Sequence, residues 1–404
     1  MTTTTIAIIR EDKMPKDSRT PITPSQARQI KELYPTVDLI CQSSKIRCYS
    51  DDEFLAAGIE IVEDLSHADI FLGVKEVEIE NLVPDKTYLI FSHTIKKQPY
   101  SQQLLKSIVE KKIRLIDYEC LVDEKATRVI AFGRWAGIVG TYNAFWTYGQ
   151  KYGSYTTKRA YECKDLNEVF EQLRQVILPP VKILITGNGR VSRGGLEILE
   201  ALKIRKVDPE QYLFQQFGEP VYAQINADVY TKRKDGQPFA FEHFFRNPGD
   251  YKSNFKTFYK TTDVLVMAAY WGAKAPRLLE MEDVKDDAFR IRVIADVTCD
   301  INGSVPTTIR PTSIQDPVYD FDLKNLKELP PFSDEAQLSV MAIDNLPNEL
   351  PGDASTSFGE QMMEYVLPDL LKGFDRPMIK NATITENGNL TERFEYLRDY
   401  LEGR

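Results

Sequence analysis

The chain is predicted to be an α/β protein of two doubly wound, Rossmann-like domains with a cleft between them. Three observations predict it. Short β-type runs alternate with helical runs over roughly the first third of the chain, which is the pattern of a mostly parallel sheet with helices on its faces. A buried-strand run at 181–186, the turn Gly187-Asn188-Gly189 and a helical pattern from Leu196 to Leu202 make a separate strand–turn–helix unit. The length, 404 residues, is enough for two cores. The expected division assigns 1–140 with 348–404 to a substrate and catalytic domain, and 141–347 to a dinucleotide-binding domain.

In the N-terminal part, 6–10, 37–41, 59–62, 70–74, 88–92, 114–118 and 129–132 read as strands. Helical patterns at 23–33, 51–57 and 100–111 alternate with them, the first behind a threonine cap and Pro24. Residues 134–153, small and aromatic at helical spacing, read as a close-packed helix joining the domains. An amphipathic helix at 166–178 stops at Pro179-Pro180. After the glycine turn, 204–208 reads as a strand that brings Asp208 about 20 residues past Gly187, where an acid holds the ribose hydroxyls of a dinucleotide. Ser192 stands where the usual fingerprint has its third glycine. The polar, aromatic stretch 215–260 carries no clear period and reads either as an insertion over the cleft or as a surface excursion. Strand patterns return at 263–271, 291–298 and, after a proline-rich loop, 339–347. The helical tails 356–371 and 392–401 are expected to pack back on the N-terminal domain.

Composition narrows the function classes. A net charge of -9 argues against nucleic acid as a partner. No apolar run approaches the roughly 18 residues a membrane span needs, so small-molecule partners are expected. The opening MTTTTIAIIRED runs straight into a strand pattern, and the five cysteines are scattered without CxxC spacing. Reduced thiols, a cytoplasmic setting and no metal site are the expectation.

Ligands of such sheets collect at the carboxyl ends of the strands. Gly73-Val74-Lys75-Glu76 ends one predicted strand, His93 to Gln98 ends the next, Asp117-Tyr118-Glu119 a third, and Arg128 with Phe132 frames the last. Arg19 lies in the loop after the first strand. Adjacent parallel strands would set Lys75 and His93 facing one another across a single mouth. Histidine titrates near neutral pH and a lysine near other cations becomes a usable base, so that mouth suits acid and base chemistry on an anionic substrate. His67 and His243 read as surface or packing residues.

The motifs FSHTIKKQ, RLIDYECLVD, RVIAFGRWAG, TGNGRVSRG, AAYWGAKAPRLL, ADVTCDINGS and AIDNLPNELP together resemble the lysine-forming saccharopine dehydrogenases. They look closer still to the lysine-ketoglutarate reductase domain of bifunctional animal and plant enzymes, which are related to alanine dehydrogenases. The resemblance implies that Lys75 and His93 are the acid and base pair, and that Arg19, Lys75, Gln98, Arg128 and Phe132 hold the substrate. On the cofactor side it points to Gly187, Gly189, Arg190, Val191, Asp208, Tyr270, Val297, Ile343, Asp344, Asn345 and Leu346. Val191 stands where the fungal enzymes carry a cysteine, so redox control through that thiol is not expected. The reaction implied is the reversible conversion of saccharopine, NAD and water into lysine, 2-oxoglutarate and reduced cofactor. Asp208 favours NAD, while Arg205 and Lys206 leave NADP open. The rival readings are another amino-acid or opine dehydrogenase, such as an alanine dehydrogenase, and a nucleotide-sensing protein without turnover.

Overall fold

Six short strands, β1 (Thr4–Ile8), β2 (Val37–Gln42), β3 (Glu60–Val62), β4 (Ile70–Leu72), β5 (Thr87–Ile90) and β6 (Arg114–Asp117), pair in parallel in the order β3-β2-β1-β4-β5-β6. β4 and β5 are buried along their whole length, so both faces of the sheet have to be covered. Helices α1 (Pro24–Leu33), α2 (Asp51–Ala56) and α3 (Pro99–Glu110) lie between the strands in sequence. α1 begins where the sequence signals it: Thr23 accepts from the Gln26 amide, the Gln26 side chain accepts from the Thr23 amide, and Pro24 follows. The computed structural model describes residues 3–404.

Two findings differ from expectation in this unit. Residues 129–132 form no strand. Their amides go elsewhere, Val129 to the Leu121 carbonyl and Ala131 to Oε1 of Gln361, which leaves no ladder to build. The returning chain adds two antiparallel strands beside β6, Thr383–Glu386 and Asn389–Leu390. The C-terminal helix Pro351–Gln361 does pack on this unit, through Phe358 against Phe91, Tyr118 and Phe132.

The second unit opens with α4 (Gly133–Tyr152) and α5 (Leu166–Leu173). Then come β7 (Lys182–Thr186), α6 (Arg190–Ala201), β8 (Arg205–Lys206), α7 (Pro209–Phe214), β9 (Val221–Ile225) and α8 (Ala227–Tyr230). A hairpin of β10 (Thr231–Arg233) and β11 (Tyr251–Ser253) encloses α9 (Phe241–Arg246). The remaining strands are β12 (Val264–Met267), β13 (Val293–Asp296), β14 (Val318–Asp322), β15 (Lys327–Leu329) and β16 (Leu338–Met341), and the sheet order is β15-β14-β16-β13-β12-β7-β9-β8. All pairs are parallel except those made by β14. The stretch 215–260 therefore holds β9 and the hairpin, and the proline-rich loop holds β14 and β15.

The chain separates by contacts into Met1–Phe132 with Pro351–Arg404, and Gly133–Leu350. The first break falls at Phe132 rather than at residue 140 because α4 is one helix committed to the second unit. A Cβ added at Gly137 would stand 1.8 Å from the Val191 carbonyl oxygen, and one at Gly194 2.0 Å from that of Arg134. The small residues of α4 let it lie directly against α6.

Candidate functional site

In the first unit the strand order reverses between β1 and β4, the position where ligand crevices open in open α/β sheets. Buried Glu11, just past β1, accepts from the amides of Val74 and Lys75 at 2.6 and 2.8 Å. Burial, with Asp17 nearby, pushes the Glu11 carboxyl up to about 8 against those two amides and the Arg19 guanidinium. Lys75 is half-buried at the end of β4, and the Phe91 amide of the neighbouring strand donates to the carbonyl of Val74 at 3.0 Å. Lys75 and His93 thus follow adjacent, parallel strands.

His93 adopts a left-handed backbone, φ 54° and ψ 7°, a conformation that costs a β-carbon-bearing residue about 1 kcal/mol or more. Surrounding bonds hold it. Buried Asp117, at the end of β6, accepts from the amide and hydroxyl of Ser92 and from the Glu119 amide. Burial raises that carboxyl despite those bonds. Nδ1 of His93 lies 2.6 Å from Oε1 of Glu76, and Lys13 Nζ lies 3.0 Å from Oε2. Burial alone would raise the Glu76 carboxyl, but the His93 bond and charge, with Lys13, outweigh it and hold it at about 2. Glu76 is therefore a carboxylate, Nδ1 donates, and Nε2 is the nitrogen left to exchange a proton with a ligand.

The other residues expected to hold substrate are spread around this point. Arg19 is 3% exposed, paired with Asp17 at 2.5 Å, and its guanidinium lies 4.2 Å over the Phe132 ring, itself stacked on Phe358. Arg128 and Lys96 both reach Oε1 of Glu119, at 3.5 and 3.3 Å. Gln98 is exposed at the start of α3, its carbonyl accepting from the Tyr400 hydroxyl. Glu76, Asp117 and Glu119 stand among the strand-end residues that the sequence marks, with no role assigned to them, and Glu11 and Asp17 do not. For Glu11 the available signal is its place directly after the predicted strand 6–10, which it shares with many solvated acids. His67 is exposed, and His243 packs on Tyr251.

In the second unit the reversal lies between β7 and β12. Gly187 has φ +88°, its amide donates to the Ile225 carbonyl at 2.7 Å, and an added Cβ would stand 3.0 Å from the Ala269 Cα. Gly189 caps α6 with no side-chain bond, and an added Cβ there meets nothing within 4 Å. An uncapped helix N-terminus over an open, Cβ-free turn is what a pyrophosphate requires. Arg190 is the first residue of α6 and is exposed, while Val191 faces α4. Ser192 is buried and its hydroxyl accepts from Gln224 at 3.2 Å, so a side chain fits where a third glycine was expected. Tyr270 follows β12 and is 92% exposed. Val297 follows β13, shaped by buried Asp296, which accepts from Thr298 and Thr308. Ile343, Asn345 and Leu346 follow β16 and are buried, and Asp344 is exposed. These loops leave neighbouring strands at one edge of the sheet, so the residues fit a dinucleotide.

Asp208 is the exception. The strand beside β7 is β9, and β8 lies one place further out. Asp208 is exposed and caps α7, accepting from the Gln211 amide at 2.9 Å. The position next to the glycine turn is taken by Asn226, directly after β9, where Gln224 reaches the Gly187 carbonyl at 3.0 Å. Asn226 is half-buried, and its side chain makes no hydrogen bond among the described residues. The position beside the glycine turn therefore carries an amide rather than a carboxylate, because the second strand of the unit in space is the third in sequence.

No group of His, Cys, Asp and Glu suited to a metal occurs among the described residues, and no helix there is long and apolar enough to cross a membrane. Sequence models of the alanine dehydrogenase/PNT N-terminal and C-terminal domains match residues 7–139 and 179–393. The chain is 29% identical to the mitochondrial alpha-aminoadipic semialdehyde synthase of Mus musculus over 99% of its own length and 48% of that protein. It thus spans about half of that relative. It is 25% identical to the NAD(+), L-lysine-forming saccharopine dehydrogenase of Emericella nidulans, covering 91% of this chain and 92% of that one. Among solved structures, an L-alanine dehydrogenase superposes with a TM-score of 0.68 at 15% identity, covering 98% and 99% of the two chains. That likeness is one of fold: two Rossmann-like α/β domains.

Proposed function

Because the chain belongs to the alanine dehydrogenase/PNT family, we propose that it is a nicotinamide-dependent amino-acid dehydrogenase that interconverts saccharopine with lysine and 2-oxoglutarate. The observation that carries this reading is the pairing of β4 and β5, which sets Lys75 and His93 on neighbouring strand ends with Glu76 orienting the imidazole. A nicotinamide dinucleotide held at the Gly187–Gly189 turn and the loops after β12, β13 and β16 would supply or take the hydride at the glutaryl carbon. The chain's own residues do the rest. Joining the lysine amine to the 2-oxo group releases water, and the reverse direction adds it, so protons move at one nitrogen and one oxygen. Lys75 and Nε2 of His93 divide those transfers. The guanidinium groups of Arg19 and Arg128 suit the carboxylates of such a substrate, and the Phe132 ring under Arg19 limits where it can turn.

For the cofactor, Asn226 presents no carboxylate to repel a 2′-phosphate, and Lys206 reaches Gln224 at 3.0 Å, placing an ammonium close to the same strand end. We propose that the 2′-phosphorylated cofactor is accepted alongside NAD. The test is oxidation of NADH and of NADPH with lysine plus 2-oxoglutarate, set against pyruvate plus ammonia. Turnover with the first pair alone is expected. Turnover with pyruvate and ammonia would reassign the substrate, and binding of reduced cofactor with no turnover on either pair would remove the enzymatic reading.

A further inference from the structure

At the edge of the second sheet away from the glycine turn, three cations meet in one hollow. Lys182 opens β7, Lys260 stands before β12 and Arg290 before β13, three strands that lie side by side in parallel. All three line a cavity of about 100 Å³, in which Glu219 is the one carboxylate among the lining residues. Glu219 is itself paired with Arg205 at 2.8 Å. Lys182 is 9% exposed. Its ammonium donates to the carbonyls of Tyr212 and Gln215 at 2.6 and 2.8 Å, at the end of α7, and the rings of Tyr212 and Phe217 lie 5.4 and 5.5 Å away. Those partners satisfy two N–H bonds but bring no net negative charge. The nearby carboxylates are engaged elsewhere: Asp263 accepts from the Lys182 amide and from Nε of Arg290 at 2.8 and 2.7 Å, and Asp286 pairs with Lys260 at 3.1 Å. Among the described residues the Lys182 ammonium therefore has no ion-pair partner, and the terminal amino groups of Arg290 have no acceptor. A buried charge without a counter-ion is costly. Burial, with the Arg290 charge beside it, lowers the Lys182 pKa against the opposing pull of Asp263.

We propose that this cavity binds a free oxyanion of the phosphate class, held between the Lys182 ammonium and the Arg290 guanidinium with Lys260 alongside. Such an ion supplies both things the hollow lacks, negative charge for a buried ammonium and acceptors for a planar guanidinium. Size sets the class of ligand. Pockets for drug-sized molecules run from about 300 Å³ upward, so a lone tetrahedral ion fits here and a nucleotide does not. Position separates the site from the cofactor, because these residues stand at the amino ends of β7, β12 and β13 while the glycine turn and its companion loops leave the carboxyl ends. The bound ion would brace the starts of three strands against the end of α7, so the stability of the second unit would rise with its concentration.

Calorimetric titration and thermal unfolding in inorganic phosphate test the site, with chloride at matched ionic strength as the control. The parent should bind phosphate and sulfate, and its unfolding midpoint should rise in phosphate beyond the rise in chloride. Arg290 is exposed and Lys260 half-buried, so the double variant Arg290→Gln with Lys260→Gln should fold and bind phosphate about tenfold more weakly or worse. Lys182→Met should abolish binding; because it also loses the bonds to α7, the double variant decides alone if Lys182→Met does not fold. A phosphate response equal in parent and double variant overturns the proposal by placing the ion elsewhere, and a response matched by chloride reduces it to screening. Glycerol 3-phosphate bound as tightly as phosphate would overturn the assignment to a free ion.

Discussion

His93 sits in a left-handed backbone conformation at the end of β5, with a carboxylate on Nδ1. That combination gives the strongest residue-scale predictions. Lys75→Met removes a titratable amine while keeping an unbranched side chain, and turnover should fall by roughly 100-fold or more with cofactor affinity unchanged. A change of less than a few-fold in steady-state rate would take Lys75 out of the mechanism. Glu76→Gln removes the negative charge and leaves one acceptor oxygen where the carboxylate serves both His93 and Lys13, and should cost about 1–3 kcal/mol in chemical denaturation at pH 7. The sign of its pH dependence follows from a carboxyl held at about 2 when folded: its stabilisation is complete above the ordinary 4.5 and fades as pH falls toward 2. The difference between parent and Glu76→Gln should therefore shrink over that interval. A constant difference would mean that Glu76 is not ionised as the geometry requires. Lys75 and His93 were legible in the sequence because each directly follows a strand pattern. The roles of Glu11 and Glu76 were not, because a buried acid is distinguished from a solvated one only by what packs against it.

At the scale of the element, the glycine turn separates two demands that the sequence shows as one. Gly187 needs its positive φ and its contact with the Ala269 backbone, while Gly189, at φ -80°, needs only the open space above it. Gly187→Ala should destabilise the second unit by about 1–3 kcal/mol. Gly189→Ala should leave the unfolding midpoint unchanged and still weaken cofactor binding, since its methyl group enters the space a phosphate would use. Equal thermal shifts for the two variants would refute this division. Elements with a strong period were readable in advance, such as β7, α6 and the buried run of β12. β9 was not, because VYAQI is five residues inside a long aromatic stretch, and short strands take their identity from the neighbour they pair with.

Taken whole, the chain folds as two units, of which Gly133–Leu350 is continuous and the other is completed by the returning C-terminus. The continuous unit has its own core around Leu184, Leu265, Ile294 and Val340. Residues 133–350 expressed alone should unfold cooperatively and retain NADH binding. A fragment without a cooperative transition would show that the unit depends on the rest of the chain. The class of fold, the two nucleotide-type sheets and the residues at most strand ends could be read from periodicity and from glycine, because those features are set by local backbone geometry and by which side chains avoid water. Pairing across space could not. That β9 displaces β8 beside β7, and so puts Asn226 rather than Asp208 next to the glycine turn, was decided only when the strands assembled. The identity of a strand's neighbour depends on contacts between residues far apart in the chain, and no local pattern carries it.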